Sequence, residues 1–190
     1  QHFEMVFQVA KQAGFMSTSH QAIHVNFGSV LDIDGKVLKS REGDVIKLHD
    51  LLDEAIRRAK SAINEKNPDL VGDERDDVAK TVGIGAVKYA DLSTERTKDY
   101  VFDWERMLSF DGNTAPYLQY AYARICSIFR KWGGSRETLA SAGLILSQPE
   151  ELTLSRRLAD FPSALDESIS TFSPHKLCTH LHSVASSFAS

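Results

Sequence analysis

The sequence predicts an α/β first half followed by an all-helical second half, with the two joined near residues 108–114. Short apolar stretches separated by turn signals occupy residues 22–48, which is typical of β-structure. Beyond residue 113, apolar residues recur at helical spacing and prolines separate the segments. The charge balance changes at the same joint, from 15 Lys and Arg against 20 Asp and Glu over residues 1–112 to 7 against 6 over residues 113–190.

The composition narrows the class of protein. With 190 residues, 42% of them hydrophobic and 25% charged, the chain is long enough and apolar enough for a globular core. A net charge of −4 excludes a generally basic nucleic-acid coat, and no apolar run approaches the roughly 20 residues of a membrane span. Two cysteines, Cys126 and Cys178, form no disulfide framework, so we expect a cytoplasmic protein. Because the chain starts at Gln1 without Met and its last helix reaches Ser190 without a cap, we expect an internal fragment.

The first half begins with a predicted helix. Phe3, Phe7 and Ala10 share a helical stripe over residues 3–13, and Gly14 is a typical C-cap. Alternating apolar residues then predict a strand near residues 22–27 with one apolar face.

Two turn signals follow that predicted strand. Asp34-Gly35 predicts a hairpin turn, and Glu42-Gly43-Asp44 predicts a second turn. Residues 36–43 should therefore project as a loop or a loosely paired ribbon.

Two helices are predicted after the hairpin. Apolar residues with a 3.6-residue period predict a helix from His49 to Asn67-Pro68. A second helix is predicted over residues 73–89, where Gly83 and Gly85 each cost about 1 kcal/mol relative to Ala. Residues 100–108 fit either an extended or a helical conformation.

The second half is predicted to be helical throughout. A turn-rich loop over residues 110–114 precedes a helix with Pro116 in its first turn, which ends near Trp132 before two glycines. The amphipathic segments that follow predict further helices at residues 136–147, 150–170 and 174–190.

Three groups of residues are candidates for chemistry. The first is the KSREG segment, where Lys39 and Arg41 flank Ser40 on a loop bounded by glycine, and Lys36 adds a third positive charge. Cations around a hydroxyl can wrap a polyphosphate. The alternative is a solvated hairpin edge, which lysine and arginine also decorate.

The second group lies at the end of the predicted strand and comprises His24, Asn26, Phe27 and Gly28. A glycine at a strand end lets a ligand approach the backbone closely, and a β-bulge explains it equally well.

The third group lies on the helix that follows Pro116. One face carries Tyr117, then Tyr120 or Ala121, then Arg124 and Ile128. The segment 113–135 contains Arg124, Arg130 and Lys131 without any acidic residue. An aromatic ring beside a guanidinium is a platform for an unstacked RNA base. The alternative places the tyrosines in the core and the arginine at its edge.

No metal site is expected. The residues His175, Cys178, His180 and His182 could ligate a metal, but on a helix only Cys178 and His182 share a face. The sequence also contains neither a G-x-S-x-G elbow nor a Walker-type phosphate loop.

Three long blocks resemble one known family. HVNFGSVLDIDGKVLKSREGDVIKLHDLLDEA (24–55), AVKYADLSTERTKDYVFDWERML (86–108) and NTAPYLQYAYARICSIFRK (113–131) occur in the order found in arginyl-tRNA synthetases, which are class I aminoacyl-tRNA synthetases. The resemblance implies that residues 1–108 are the C-terminal part of a Rossmann-like catalytic domain, with a KMSKS-like loop and stem-contact helices. It implies that residues 109–190 are the N-terminal part of a helical anticodon-binding domain.

The resemblance also implies roles for the candidate residues. Lys39, Ser40 and Arg41 would be catalytic residues that grip the ATP phosphates, although Leu38 stands where KMSKS has its first lysine. The residues that would border the adenine are His24, Asn26, Phe27 and Gly28. The tRNA-binding set would be the loop residues Asp111, Gly112, Asn113 and Thr114, with Tyr117, Tyr120 and Arg124 on the helix.

The implied activity joins L-arginine to tRNA(Arg) at the expense of ATP, with Mg²⁺ bound to the ATP, in a parent enzyme expected to be monomeric. Because the HIGH motif is absent from these 190 residues, we expect that they have no such activity by themselves. The alternative is a non-catalytic helical RNA-binding or protein-docking module.

Overall fold

The computed structural model describes residues 2–37, 47–134, 138–139 and 143–190. The regular elements of these ranges follow one another as α1 (His2–Gln12), β1 (Val30–Leu31), α2 (Leu48–Lys66), α3 (Gly72–Ser93), β2 (Tyr100–Val101), α4 (Trp104–Met107), α5 (Ala115–Trp132), α6 (Pro149–Ala159), α7 (Phe161–Ser170) and α8 (Pro174–Ala189). Over these ranges, each helix is too short or too polar to cross a membrane.

The helices α2 and α3 pack against each other along faces built from small residues. The buried positions on these faces are Ala55, Ala59 and Ile63 on α2 and Ala79, Gly83 and Ala86 on α3. A methyl group built on Gly83 would lie 2.7 Å from the backbone carbon of Ala55. The glycine therefore permits a close helix crossing that a side chain would prevent.

The helix α3 is central to the fold. It packs against α2 and α4 from the first half and against α5 and α8 from the second half. It ends four residues later than the sequence predicts. The Ser93 and Thr94 hydroxyls at its end donate to the Ala90 carbonyl at 3.4 and 3.1 Å, which satisfies an acceptor of the last turn.

The second half confirms the helix predicted after Pro116. Thr114 caps the N-terminus of α5, Pro116 is fully buried in its first turn, and Gly133 ends it with φ +72°. A left-handed residue at this position is the usual helix terminator.

Two predictions for the second half are wrong. The single helix predicted over residues 150–170 is divided at Asp160 into α6 and α7, because Pro162 has no N–H to continue the hydrogen-bond ladder. The helix predicted over residues 136–147 is wrong at residues 143–147, which are not helical; residues 138–139 are helical, and residues 136–137 and 140–142 lie outside the described residues.

The β-structure is much smaller than the alternating pattern predicts. In the described ranges it consists of β1 and β2, which pair in parallel with Val30 opposite Tyr100, and one antiparallel bridge from Leu31 to Val37. Residues 21–29 form no regular strand within this part of the chain. An apolar alternation forms a strand only where a neighbour satisfies its backbone groups, and in the described part of the chain such backbone hydrogen bonds begin only at Gly28 and Ser29, which pair with Arg96 and Tyr100.

The turn predicted at Asp34-Gly35 is confirmed. Gly35 has φ +77°, and the Asp32 amide donates to the Lys36 carbonyl at 2.8 Å. The second turn, predicted at residues 42–44, lies outside the described residues.

Candidate functional site

Tyr120 and Arg124 lie together on a solvent-exposed face of α5. The Tyr120 side chain is 54% exposed, Arg124 follows it one turn later and is exposed, and Ile128 continues the face with 54% exposure. Residues four apart are neighbours on a helix surface. The structure thus presents a ring and a guanidinium to solvent at this position, instead of burying Tyr120 in the core.

Tyr117 has a different environment from Tyr120. Its ring lies 5.3 Å from the His182 ring of α8, and its hydroxyl lies 3.4 Å from the Ser186 hydroxyl. The structure therefore separates Tyr117, which packs between α5 and α8, from the exposed pair.

The loop before α5 is held by Thr114. This threonine is 8% exposed, its hydroxyl donates to the Ser109 carbonyl at 2.6 Å, and the same oxygen accepts from the Tyr117 amide at 3.3 Å. Gly112 has φ +81°, a conformation that favours glycine, and Asp111 is exposed. The loop thus has one buried anchor and an exposed tip.

The tip of this loop is tied to two helices through Tyr89, a residue that the sequence analysis did not single out. The Tyr89 hydroxyl on α3 lies 2.6 Å from Asn113 Oδ1 and 3.0 Å from the Cys178 carbonyl on α8. Burial raises the pKa of Tyr89 well above its usual range, so the hydroxyl keeps its proton. A hydroxyl has one proton to donate, and it can serve either acceptor.

The segment 24–28, which would border the adenine, makes contacts with other residues of the chain. The His24 ring stacks on Phe3 at 4.4 Å, and Asn26 presents its backbone and side-chain oxygens to Arg96. The Phe27 ring is 85% exposed and is the open member of the group.

Gly28 lies against another part of the chain. Its amide donates to the Arg96 carbonyl at 2.6 Å, and a methyl group built on it would lie 2.8 Å from the Asp99 amide nitrogen. The next amide, of Ser29, donates to Asp99 Oδ1 at 2.6 Å. Close approach of the backbone at residues 98–99 by itself requires a glycine here.

The KSREG residues Lys39, Ser40 and Arg41 lie outside the described residues. Lys36, at the near end of that segment, is exposed, and its amide donates to Asp32 Oδ1 at 2.8 Å. Its side chain is therefore displayed beside the turn rather than packed in a core.

Arg96 is the second important residue that sequence reasoning missed. Besides its bonds to Asn26, its guanidinium donates to the Phe172 carbonyl at 2.8 Å and to the Thr171 carbonyl at 3.4 Å. It borders a cavity of about 590 Å³ that is also lined by Phe27 and Phe172. No sequence signal separates this arginine from a solvated one, because it stands in a polar stretch without periodicity.

The charged face of α2 is internally paired. Glu54 accepts from Arg57 and from Arg58 at 2.6 Å, and these hydrogen bonds lower the pKa of Glu54 to about 2. The Arg58 guanidinium also lies 5.1 Å above the Trp104 ring, and Lys66 lies 4.2 Å above Phe110. These cations are thus positioned by carboxylate and aromatic neighbours.

The histidines of α8 lie against aromatic rings. His180 lies 5.9 Å from Phe161, and His182 lies against Tyr117. Among the described residues, no three His, Cys, Asp or Glu side chains come together as a metal site would require.

Two family models match the sequence. The model of the catalytic domain of class I (R) tRNA synthetases matches residues 1–104, and that of the DALR anticodon binding domain matches residues 118–190. The exposed pair on α5 therefore lies within the second match.

Known proteins match along the whole chain. An arginine–tRNA ligase of Cellvibrio japonicus is 49% identical over 189 residues, which is 100% of this chain and 32% of the relative. The structure of arginyl-tRNA synthetase from Plasmodium falciparum superposes with a TM-score of 0.83 at 29% identity, covering 99% of this chain and 31% of that one. For the Thermus thermophilus arginyl-tRNA synthetase the TM-score is 0.73 at 32% identity, covering 87% and 26%. The chain spans about a third of the length of the curated relatives it matches.

Proposed function

The chain belongs to the arginyl-tRNA synthetase family within class I of the tRNA synthetases, and from this premise we propose that it is part of an arginine–tRNA ligase. The observation that carries the proposal is the exposed Tyr120–Arg124 pair on α5, within the segment that matches the anticodon-binding model. The boundary between the catalytic and anticodon-binding parts is proposed at residues 108–109, just before the loop that Thr114 anchors.

The proposed reaction has two steps. The carboxylate of L-arginine attacks the α-phosphorus of ATP and pyrophosphate leaves, and a terminal hydroxyl of tRNA(Arg) then attacks the arginyl carbonyl and releases AMP. Neither step requires a protein nucleophile, so catalysis rests on positioning and on charge stabilisation. Lys39 and Arg41 supply positive charge for the phosphate oxygens and Ser40 supplies a hydrogen-bond donor.

The segment from His24 to Gly28 is proposed to border the adenine of ATP. Its support is geometric: Asn26 and Gly28 are fixed by Arg96, which leaves the Phe27 ring open for contact with a base. Mg²⁺ would enter with ATP on its phosphate oxygens.

For tRNA, Tyr120 is proposed to stack on an unpaired anticodon-loop base while Arg124 contacts the adjacent phosphate. The loop residues Asp111 to Asn113 would contact the same RNA at the exposed tip. Thr114 and Tyr117 would fix the loop to the start of α5 through the hydrogen bond between the Tyr117 amide and the Thr114 hydroxyl. We propose a cytoplasmic, monomeric parent enzyme, and that these 190 residues alone do not catalyse the reaction.

Fluorescence anisotropy of this chain with a tRNA(Arg) anticodon stem-loop tests the RNA-binding role. We expect Tyr120→Ala to weaken binding by roughly fivefold or more, because a stacked base contributes about 1–3 kcal/mol. Tyr122→Ala is the matched control, since Tyr122 is 67% exposed on the same helix but two residues on, toward another face.

A non-cognate stem-loop and two salt concentrations complete the design. Equal losses in both tyrosine variants would contradict a role specific to Tyr120. Equal and steeply salt-dependent binding of both RNAs would show that the interaction is non-specific attraction to the basic face of α5. Absence of binding would refute an RNA site complete within these residues.

A further inference from the structure

Arg96 links two segments that are far apart in the sequence. Its Nη1 donates to the backbone oxygen of Asn26 at 2.6 Å and to Asn26 Oδ1 at 2.9 Å. On the other side, Nε and Nη2 donate to the carbonyls of Phe172 and Thr171. One guanidinium thus joins the first half of the chain to the turn between α7 and α8.

That turn has an uncommon backbone. Phe172 has φ +51°. Every other residue with a positive φ in the described ranges is a glycine. A bulky residue in the left-handed region is strained and persists where its surroundings hold it. The carbonyls that Arg96 binds lie just beyond the C-terminus of α7, where the helix dipole favours a cation.

Arg96 is also fixed through its own backbone. Its carbonyl accepts from the Gly28 amide at 2.6 Å, so the main chain and the side chain of Arg96 both hold the segment containing Asn26. A guanidinium has five donors in a rigid fork and can serve both segments at once, whereas the ammonium of a lysine is a single point charge.

We propose that Arg96 is a positioning residue that couples the segment 24–28 to the 171–172 turn, so that RNA bound to the helical half changes the mobility of the segment 24–28. The hydrogen bonds show the contact of Arg96 with both segments, and the coupling is what the experiment below measures. Its meaning for ATP and tRNA rests on the proposed function.

A mutant cycle on this chain tests the coupling without RNA. Asn26→Ala removes one acceptor of Arg96, and exchange of the amides of residues 171–175 is then followed by hydrogen–deuterium exchange and mass spectrometry. We expect about threefold faster exchange or more in this variant, and no additional effect of Asn26→Ala when Arg96→Met is already present. Unchanged exchange at residues 171–175 in Asn26→Ala would overturn the coupling, and this variant leaves Arg96 intact.

Two control variants distinguish the hydrogen-bonding geometry of the Arg96 guanidinium from its positive charge. Lys98→Met removes a nearby exposed cation that pairs with Glu95, and it should leave both segments unchanged. Arg96→Lys retains the positive charge and should behave like Arg96→Met, because it cannot bridge both segments. Full restoration by lysine would show that charge alone suffices and would contradict the positioning role.

A second arm uses the tRNA(Arg) anticodon stem-loop as probe. In the unmodified chain, bound RNA should slow exchange at residues 24–30, and Arg96→Met should abolish this response while RNA affinity stays within about twofold. RNA that binds without affecting residues 24–30 would overturn the coupling and leave the proposed function intact. RNA that does not bind would count against the proposed function, and the mutant cycle then decides the coupling alone.

Discussion

At the scale of single residues, identical side chains serve different purposes in this protein. Tyr117 and Tyr120 are three residues apart on α5, yet one packs on His182 and the other faces solvent. Tyr89 is half-buried and holds the loop before α5 through its hydroxyl. Helical spacing placed Tyr117 and Tyr120 on one stripe, but the position of α8 determines which of them is covered.

Glu54 provides a prediction at this scale. Arg57 and Arg58 lower its pKa from 4.5 to about 2 through hydrogen bonds to the charged carboxylate. A lowered folded-state pKa stabilises the fold above the unfolded value, and this contribution is lost as the pH falls from about 4.5 toward 2. The stability difference between the unmodified chain and Glu54→Gln should therefore be present at pH 6 and should shrink below pH 4.5.

Urea unfolding of both chains at several pH values measures this difference, and carbon NMR of the Glu54 carboxyl gives its titration midpoint directly. The Glu54 side chain is partly exposed, at 31%, so solvent and salt screen its ion pairs. The stability difference should therefore be small and should weaken with added salt. A midpoint near 4.5 would show that the two arginines do not hold the carboxylate in solution.

At the scale of elements, two glycines of α3 give a matched comparison. Replacing either by alanine gains about 1 kcal/mol in helix propensity. At Gly83 the new methyl group would meet the rigid backbone of α2 at 2.7 Å, whereas at Gly85 it would meet the flexible end of Gln119 at 2.7 Å. We expect Gly83→Ala to destabilise the fold by about 1–3 kcal/mol and Gly85→Ala to be close to neutral.

Chemical denaturation of both variants, with circular dichroism to monitor helix content, checks this expectation. Equal stabilities would mean that α2 and α3 can separate freely enough to admit a methyl group. The sequence identified both glycines as costs to helix formation, but only the crossing with α2 distinguishes them.

Elements whose ends are marked by nearby residues could be predicted from the sequence, whereas elements that depend on distant segments could not. The helix α5 was predictable because Thr114, Pro116 and Gly133 mark its ends locally. The strand pair was not, because Val30 and Tyr100 meet across 70 residues and neither segment specifies its partner. Pro162 is a local signal for a break within residues 150–170. It lies in the first turn of α7, so the chain forms two helices there instead of one.

At the scale of the whole molecule, the packing is uneven. The helix α3 contacts elements of both halves, whereas α1 has no buried residue, and its Phe3 ring stacks on His24. Hydrophobic burial is the main source of local stability. The central amides of α3 should therefore exchange at least about a hundredfold more slowly than those of α1.

Native-state hydrogen exchange resolved by NMR or by peptide measures both helices in one sample. Because α3 contacts both halves, its protection should fall in a single transition when denaturant is added. Protection of α1 equal to that of α3 would contradict the uneven packing, and two separate transitions for α2 and α5 would show that the halves unfold independently.

The sequence alone determined the family and the ends of the helices with local caps. The 49% identity to an arginine–tRNA ligase confirms the resemblance drawn from the three blocks. These features depend on residues close together in the chain or on long matching segments. The tertiary structure alone decided which tyrosine is exposed, why Gly28 and Gly83 are glycines, and that Arg96 joins Asn26 to Phe172. Each of these depends on contacts between distant segments, and the free energy of such contacts exists only once both partners are in place.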